Sequence, residues 1–530
     1  MAFGETKIAV VGGGPGGLVA LKELRDLGYD VTLFERRDDV GGIWSWTGDR
    51  SMTTALKETR LCNSKFSLNL SDFPMPADFP LFPAAPDMGS YMKSFAKHYD
   101  LYRNVEFGKT IVHFNRGSGK SQWQLTFADA PNDPREFDKV VWATGCFLNP
   151  RPIQFEGQDK FAGRILHSQD VRDLAQFKGQ NVMVLGMGNT AGDIAINIVN
   201  QADKVYLSHR RGAKIFKRSG ADGVPADAML TPTSASILWW IEAKMPWLWG
   251  KIMDGAMDDN FKQNWGENKP EWGFVQSPSM KDGQYIVVCN DELIPYVKEG
   301  KIVSVPGIKQ ITGPRRVEMS DGQVIEDIDT IITCTGYYDD MEILSNALTL
   351  VDGPRGQAPL PNLYMGIFPP EHADSLALIS NVHLNGPQIQ GRELAAMSVA
   401  QIWAGNSTLP SRSAMDAWVR RHNSWLFKRL EKSPGANRGD VVSVDWQTFV
   451  HDSAGTGMLD HIGWGWKAWV LWCRDSQLYR ALAHGPSTGY ALRLFETGKR
   501  AQWAGARQAV VDAYAEMQKI KNGAKGVKGL

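Results

Sequence analysis

The sequence predicts an α/β protein with two Rossmann-like dinucleotide-binding domains, the second inserted into the first. Two Gly-rich fingerprints, each directly after an apolar run, carry the prediction, and two similar strand–turn units support the insertion. The boundaries they imply are residues 1–169 for the first part of the leading domain and 170–328 for the inserted domain. Residues 329–530 complete the leading domain and include a C-terminal helical region.

The first fingerprint follows Lys7-Ile8-Ala9-Val10-Val11 and reads Gly12-Gly13-Gly14-Pro15-Gly16-Gly17. Gly12 supplies a tight turn, Gly14 lets backbone approach a pyrophosphate, and Gly17 lets the next helix pack closely on the strand. Pro15 and Gly16 open that helix, whose first N–H groups and dipole favour phosphate. The next strand, Val31-Thr32-Leu33-Phe34, ends at Glu35 with Arg36 beside it. A carboxylate at that point holds ribose hydroxyls.

The second fingerprint follows Val182-Met183-Val184-Leu185 and reads Gly186-Met187-Gly188-Asn189-Thr190-Ala191, with Ala in the third glycine position. Its next strand, Lys204-Val205-Tyr206-Leu207, ends without a carboxylate, in Ser208-His209-Arg210-Arg211. An Arg there receives a ribose 2′-phosphate as a charge-assisted pair. The plainer reading of Arg210 and Arg211 is a solvated basic strand end. Two sites of this kind suggest a bound flavin and the NADPH that reduces it, which makes the chain a flavoprotein oxidoreductase.

Bulk properties fit a soluble enzyme. The 530 residues allow two to four domains, and Lys+Arg balances Asp+Glu at 58 each, so net charge gives no sign of a nucleic-acid partner. Cys62, Cys146, Cys289, Cys334 and Cys473 are scattered, without a CxxC pair. That pattern fits reduced thiols in a cytoplasmic protein and argues against a disulfide scaffold or a zinc site. No signal peptide, membrane anchor or solenoid repeat is expected.

Further along, residues 72–87 are rich in Pro and Phe and are expected to form an ordered loop. Gln122-Trp123-Gln124-Leu125-Thr126-Phe127 reads as part of an antiparallel excursion. Lys139-Val140-Val141-Trp142-Ala143-Thr144-Gly145 and Thr330-Ile331-Ile332-Thr333-Cys334-Thr335-Gly336-Tyr337 are the two strand–turn units. Each marks a crossing between domains and brings backbone at Gly145, or at Thr335 and Gly336, close to a cofactor. Trp239, Trp240, Trp247 and Trp249 fall in one helical region, and Trp464, Trp466, Trp469 and Trp472 in another. Both groups read first as core anchors, with a substrate-channel wall or a homodimer contact as the sharper options.

The chain resembles the flavin-containing monooxygenases of class B almost end to end. The resemblance rests on the first fingerprint, Val40-Gly41-Gly42-Ile43-Trp44, and Ser71-Asp72-Phe73-Pro74. It continues through Phe161-Ala162-Gly163-Arg164-Ile165-Leu166-His167, the second fingerprint with Asn189 and Asp193, and Ser208-His209-Arg210-Arg211-Gly212. Asn290-Asp291-Glu292-Leu293, Cys334-Thr335-Gly336-Tyr337 and Gln502-Trp503-Ala504-Gly505-Ala506-Arg507 complete it. It implies an NADPH domain inserted into an FAD domain. It also implies that NADPH reduces FAD, O₂ then gives a C4a-hydroperoxyflavin, and a small-molecule substrate takes one oxygen atom at nitrogen or sulfur. Gly42, Ile43 and Trp44 would lie along the flavin, and Thr190, Ala191, Gly192 and Asp193 along the nicotinamide nucleotide. Ser208, Arg210 and Arg211 would face the 2′-phosphate. The string ending in His167 reads as a hinge, so His167 takes no part in the chemical step, and Asn385-Gly386-Pro387-Gln388 is placed near the flavin.

Two positions depart from the family pattern. The position four residues after His167 is Val171, where the family carries Tyr or Phe and its Baeyer–Villiger relatives Trp. Ten residues before Asp72, where many members have an active-site Asn, stands Cys62, with Asn63 its neighbour. Either Asn63 or Cys62 therefore takes the catalytic position. The nearest alternative function is a Baeyer–Villiger monooxygenase acting on a ketone or aldehyde. A disulfide reductase needs a cysteine pair that the sequence does not display. A non-catalytic FAD/NADP(H)-binding redox sensor is the alternative of another class.

Overall fold

In the computed structural model the described residues are 3–117, 122–220, 222–275, 279–280, 287–338, 341–354, 358–384, 386–432 and 437–527. Ten strands make the two parallel sheets: β1 (Lys7–Val11), β2 (Asp30–Phe34), β3 (Val105–Glu106), β4 (Lys139–Trp142), β5 (Arg164–His167), β6 (Asn181–Leu185), β7 (Lys204–Ser208), β8 (Ile302–Val305), β9 (Thr330–Thr333) and β10 (Leu376–Leu378). The first sheet has the order β10-β4-β1-β2-β3, and the second β8-β7-β6-β9-β5. In the first, Val11 pairs with Phe34 on one side and Trp142 on the other. In the second, Leu185 pairs with Ser208 and Thr333. Their central strands are apolar runs because both faces are covered. Ile8, Ala9 and Val10 of β1, and Val182, Met183 and Val184 of β6, are fully buried.

β5 and β9 lie outside residues 170–328 yet pair with each other, and β9 with β6, in the second sheet. The fingerprint alone does not reveal them, because a sheet edge depends on partners far away in sequence. Trp123–Phe127 pairs on both sides, with Ile111–Arg116 and Ala130–Phe137, in the expected antiparallel excursion. The segment 72–87 is not loop throughout: α2 (Ala85–His98) begins inside it, with Pro86 in the first turn. Pro is tolerated there because its missing N–H has no helical acceptor anyway. Earlier in the chain, α1 (Pro15–Asp26) follows the first fingerprint, and later α3 (Asn189–Ile198) follows the second.

The Trp-rich segments are helices, but of the tryptophans expected as core anchors most are not buried. In α4 (Pro232–Lys244) and α5 (Pro246–Trp265), Trp240 and Trp247 are exposed and Trp239 is half-buried, while Trp249 is buried. After α6 (Gln388–Trp403), which packs against α1, the short α7 (Trp466–Arg474) turns Trp466 and Trp469 to solvent, where they are 71% and 53% exposed. Trp464 just before it is 86% exposed. Large apolar residues fill cores, but the converse does not hold, which is why composition misleads here.

A buried ionic cluster fixes α1 against the Ser71-Asp72-Phe73-Pro74 string. Lys22 binds Asp72 at 2.9 Å and Glu23 at 3.3 Å, and Arg493 pairs with Glu23 and with Asp72 at 3.4 Å. Arg493 Nε donates to the Ser71 hydroxyl at 3.0 Å. Glu393 of α6 accepts the Ser71 N–H through both carboxylate oxygens and the Ser71 hydroxyl at 2.6 Å. Charges this deep are tolerated when paired, as here through Asp72 Oδ2, while Asp72 Oδ1 is buried without a hydrogen-bond partner. Among the described residues no helix is long and apolar enough to cross a membrane, and no His/Cys/Asp/Glu group could hold a metal.

Candidate active site

The first fingerprint turns where β1 ends. Gly12 has φ +104° and donates its N–H to the Phe34 carbonyl at 2.8 Å. A Cβ there would lie 2.6 Å from the Ala143 carbonyl oxygen, and one at Gly17 would lie 1.8 Å from that of Gly12. Both positions therefore require glycine. Gly14 caps α1, Pro15 opens it, and Gly16 faces Ile379 and the Arg392 side chain. Glu35, buried at the end of β2, accepts the Gly13 N–H at 2.6 Å and the Arg37 N–H at 2.9 Å. Arg36 beside it is half-buried.

The Val40-Gly41-Gly42-Ile43-Trp44 string folds over this turn. Gly41 donates to the Gly13 carbonyl at 2.8 Å, and a Cβ on Gly42 would meet Gly14 Cα at 3.0 Å. Ile43 and Trp44 are half-buried next to it. Beyond Glu35 lies a cleft of about 260 Å³ lined by Arg37, Asp38, Asp39, Ser45, Trp46, Thr47 and Lys93. A backbone turn stripped of side chains, an open helix start and a buried strand-end carboxylate together fit a flavin dinucleotide.

At the second fingerprint Gly186 has φ +130°, and its Cβ would lie 2.6 Å from the Cys334 carbonyl oxygen. A Cβ at Gly188 would meet nothing, so the start of α3 is open. Asn189 and Thr190 are exposed there, whereas Ala191 and Gly192 are buried beneath. Asp193 is also buried, hydrogen-bonded to Thr59, and burial pushes its pKa up to about 6. It therefore faces the loop before Cys62 rather than the open helix end.

At the end of β7 the Ser208 hydroxyl donates to the Pro306 carbonyl at 2.8 Å, while Arg210 and Arg211 are exposed. His209 shapes that turn, a role sequence reasoning missed. Its Nδ1 accepts the Gly212 N–H at 3.1 Å, its Nε2 contacts Ser304 Oγ at 2.8 Å, and its ring stacks on Phe274. Burial lowers its pKa to about 4, so the ring is neutral at ordinary pH. The second site fits a dinucleotide that carries an added phosphate.

The two crossover turns meet. Asn149–Pro150, after Gly145, pairs antiparallel with Tyr337–Tyr338, after Gly336, and Arg151 donates to the Gly336 carbonyl at 2.9 Å. Thr335 Oγ1 donates to the Arg151 carbonyl at 2.6 Å. Gly145 and Gly336 have φ +84° and +82°, and a Cβ on either would meet nothing. His167 Nδ1 accepts the Gln169 N–H at 3.1 Å and its Nε2 lies 3.2 Å from the Gly336 carbonyl oxygen, so its ring links β5 to the second turn. Val171 is buried in the core of the second sheet.

The loop of the two catalytic candidates is fastened by Arg218, which no motif singled out. Its guanidinium donates to the Leu61 carbonyl at 3.0 Å and the Arg60 carbonyl at 3.1 Å, and pairs with Asp291 at 3.1 Å. Asp227 accepts the Ser64 N–H at 2.8 Å. The Asn63 side chain is half-buried. Cys62 instead meets Cys289, so the fold supplies a cysteine pair that spacing did not display. Asn385 lies outside the described residues, while Gln388 donates to the Leu384 carbonyl at 2.5 Å.

Comparison with known proteins agrees with this architecture. The family described as flavin-binding monooxygenase-like matches residues 5–527. Monooxygenase aurF of Gibberella zeae is 34% identical over 523 residues, which cover 96% of this chain and 98% of the relative. Flavin-containing monooxygenase 5 of Homo sapiens is 28% identical over 518 residues, covering 96% and 91%. Among solved structures, S-allyl-L-cysteine S-oxygenase from Allium sativum aligns with a TM-score of 0.61 at 20% identity, covering 97% and 98%. An oxidized steroid monooxygenase bound to NADP aligns with a TM-score of 0.60 at 18% identity, covering 85% and 98%. These structural likenesses are likenesses of fold. The chain belongs to the flavin-binding monooxygenase-like family.

Proposed function

We propose that the protein is an NADPH-dependent FAD monooxygenase that forms a C4a-hydroperoxyflavin and oxygenates a nitrogen or sulfur centre of a small molecule. The observation that carries this reading is the difference between the two fingerprints. One strand end holds a buried carboxylate at Glu35, and the other presents the exposed guanidinium groups of Arg210 and Arg211. The first suits the ribose of FAD, the second the 2′-phosphate of NADPH.

Bound FAD supplies the oxygen activation, and this chain's residues bind, orient and exclude water. The residues around 12–17 and Glu35 hold the dinucleotide, and residues 42–44 cover its path. The open start of α3 at Gly188 and Asn189 receives the nicotinamide nucleotide. Asn63, beside the Arg218-fastened loop, is assigned a hydrogen bond to the reacting centre.

Rapid mixing tests the reading. Flavin-loaded protein is reduced anaerobically with NADPH, then mixed with O₂. A long-lived C4a-hydroperoxyflavin absorbance, discharged by an amine or a thioether, is expected. Direct return to oxidised flavin refutes the oxygenating mechanism, and discharge by ketones alone moves the assignment to Baeyer–Villiger chemistry.

A further inference from the structure

Cys62 and Cys289 stand far apart in sequence, yet the fold sets their thiols together. Cys62 follows Leu61 in the Arg218-fastened loop, and Cys289 ends the short strand Val287–Cys289 beside the start of α3. Cys289 Sγ donates toward the Cys62 carbonyl oxygen at 3.8 Å, and the two thiols interact.

The backbone on both sides is pinned. Arg218 holds the Arg60 and Leu61 carbonyls on one side, and its own N–H donates to Asp291 at 2.9 Å on the other. The Cys289 N–H donates to Asn189 Oδ1 at 2.9 Å. Such anchoring holds the two residues side by side, with Cys289 Sγ against the Cys62 backbone.

The two thiols differ in character. Cys62 is half-buried, whereas Cys289 is 2% exposed. The hydrogen bond from Cys289, and then the Arg218 guanidinium, hold the Cys62 thiol below its usual pKa. The same hydrogen bond holds Cys289 well above its own, as the proton donor. A thiolate-favoured sulfur on the less buried residue beside a protonated partner is the arrangement of an attacking and a resolving cysteine.

We propose that Cys62 and Cys289 are a peroxide-responsive dithiol that closes to a disulfide between the 60–62 loop and the strand beside α3. The Cys62 thiolate attacks one oxygen of hydrogen peroxide. An S–O bond forms, the O–O bond breaks, and hydroxide leaves, taking up a proton to become water. The Cys289 sulfur then attacks the Cys62 sulfenic sulfur. The S–S bond forms, the S–O bond breaks, and the oxygen departs as a second water with the Cys289 proton. Two thiols lose two electrons, and one peroxide becomes two waters. On the monooxygenase reading the enzyme's own leaked peroxide is an oxidant source. The test supplies peroxide from outside, so it stands apart from that reading.

Flavin-loaded full-length protein is reduced with dithiothreitol, desalted and treated with one equivalent of hydrogen peroxide. It is then denatured in iodoacetamide, digested and mapped by mass spectrometry. The expected product is a linked pair of peptides carrying Cys62 and Cys289, lighter by two hydrogens and lost on dithiothreitol treatment. In Cys289→Ser, peroxide with dimedone should label Cys62. Recovery of both cysteines alkylated after peroxide overturns the proposal in the unaltered protein. A dimedone adduct confined to exposed Cys473 in the variant overturns it as well.

Discussion

Replacing Glu393 with Gln should remove a pH dependence that the wild-type fold carries. Glu393 is 2% exposed, and burial, followed by the charge of Asp72, pushes its pKa from 4.5 up to about 7. The unfolded chain releases this proton near pH 4.5, and the folded chain keeps it until about pH 7. Between those values the folded state binds more protons, so stability falls as pH rises. At about 1.4 kcal/mol for each tenfold change in proton activity, the interval amounts to about 3 kcal/mol. Glu393→Gln keeps the shape and an acceptor for the Ser71 N–H while abolishing the titration.

The variant-minus-wild-type difference should be small at pH 5 and rise to about 3 kcal/mol in favour of Gln by pH 8. Buried His209, His422 and His451 have lowered pKa values, so they cost stability as pH falls through their unfolded range. They are common to both proteins and cancel in the difference. Urea denaturation of the flavin-loaded proteins, followed by near-UV circular dichroism at several pH values, measures it. A difference that stays flat from pH 5 to pH 8 refutes the buried, proton-retaining carboxyl.

Four further outcomes are expected. Gly17→Ala drives a Cβ to 1.8 Å from the Gly12 carbonyl oxygen, so the purified protein should carry little flavin absorbance per chain. Arg493→Ala leaves Glu23 and Asp72 short of a partner and should cost about 3–5 kcal/mol, read by denaturation. Arg210→Ala with Arg211→Ala should raise the KM for NADPH by about 10- to 100-fold while leaving that for NADH in place, since loss of one charge-assisted bond to the 2′-phosphate costs about 1.5–3 kcal/mol. Asn63→Ala should make NADPH consumption outrun product formation with H₂O₂ released, and unchanged coupling would remove Asn63 from the chemistry.

The fingerprints were legible because turn geometry demands glycine at fixed spacing. Gly12, Gly17 and Gly186 sit where an added Cβ would strike backbone, a constraint written within a few adjacent residues. Glu35 was legible for the same local reason, lying one strand further on. Arg218 was not, since nothing near it in sequence announces that its partners are the Arg60 and Leu61 carbonyls. The meeting of Cys62 with Cys289 was hidden likewise, because cysteine spacing along a chain says little about distance in a fold built from interleaved segments. The exposed Trp466 and Trp469 were misread because indole area favours burial on average without specifying which face a short helix turns inward.

The interleaving also sets an order of events at the ribosome. All five strands of the second sheet emerge between residues 164 and 333, whereas the first sheet, begun by Lys7, lacks its edge until Leu376 appears. At about 5–20 residues per second, β4, the strand that pairs with it, waits roughly 10–50 s for that edge. Glu23 waits longer still, until Arg493 has been made. The later-encoded unit is thus free to fold first while the leading half stays open, a period in which the outer edge of β4 is unpaired and open to other chains.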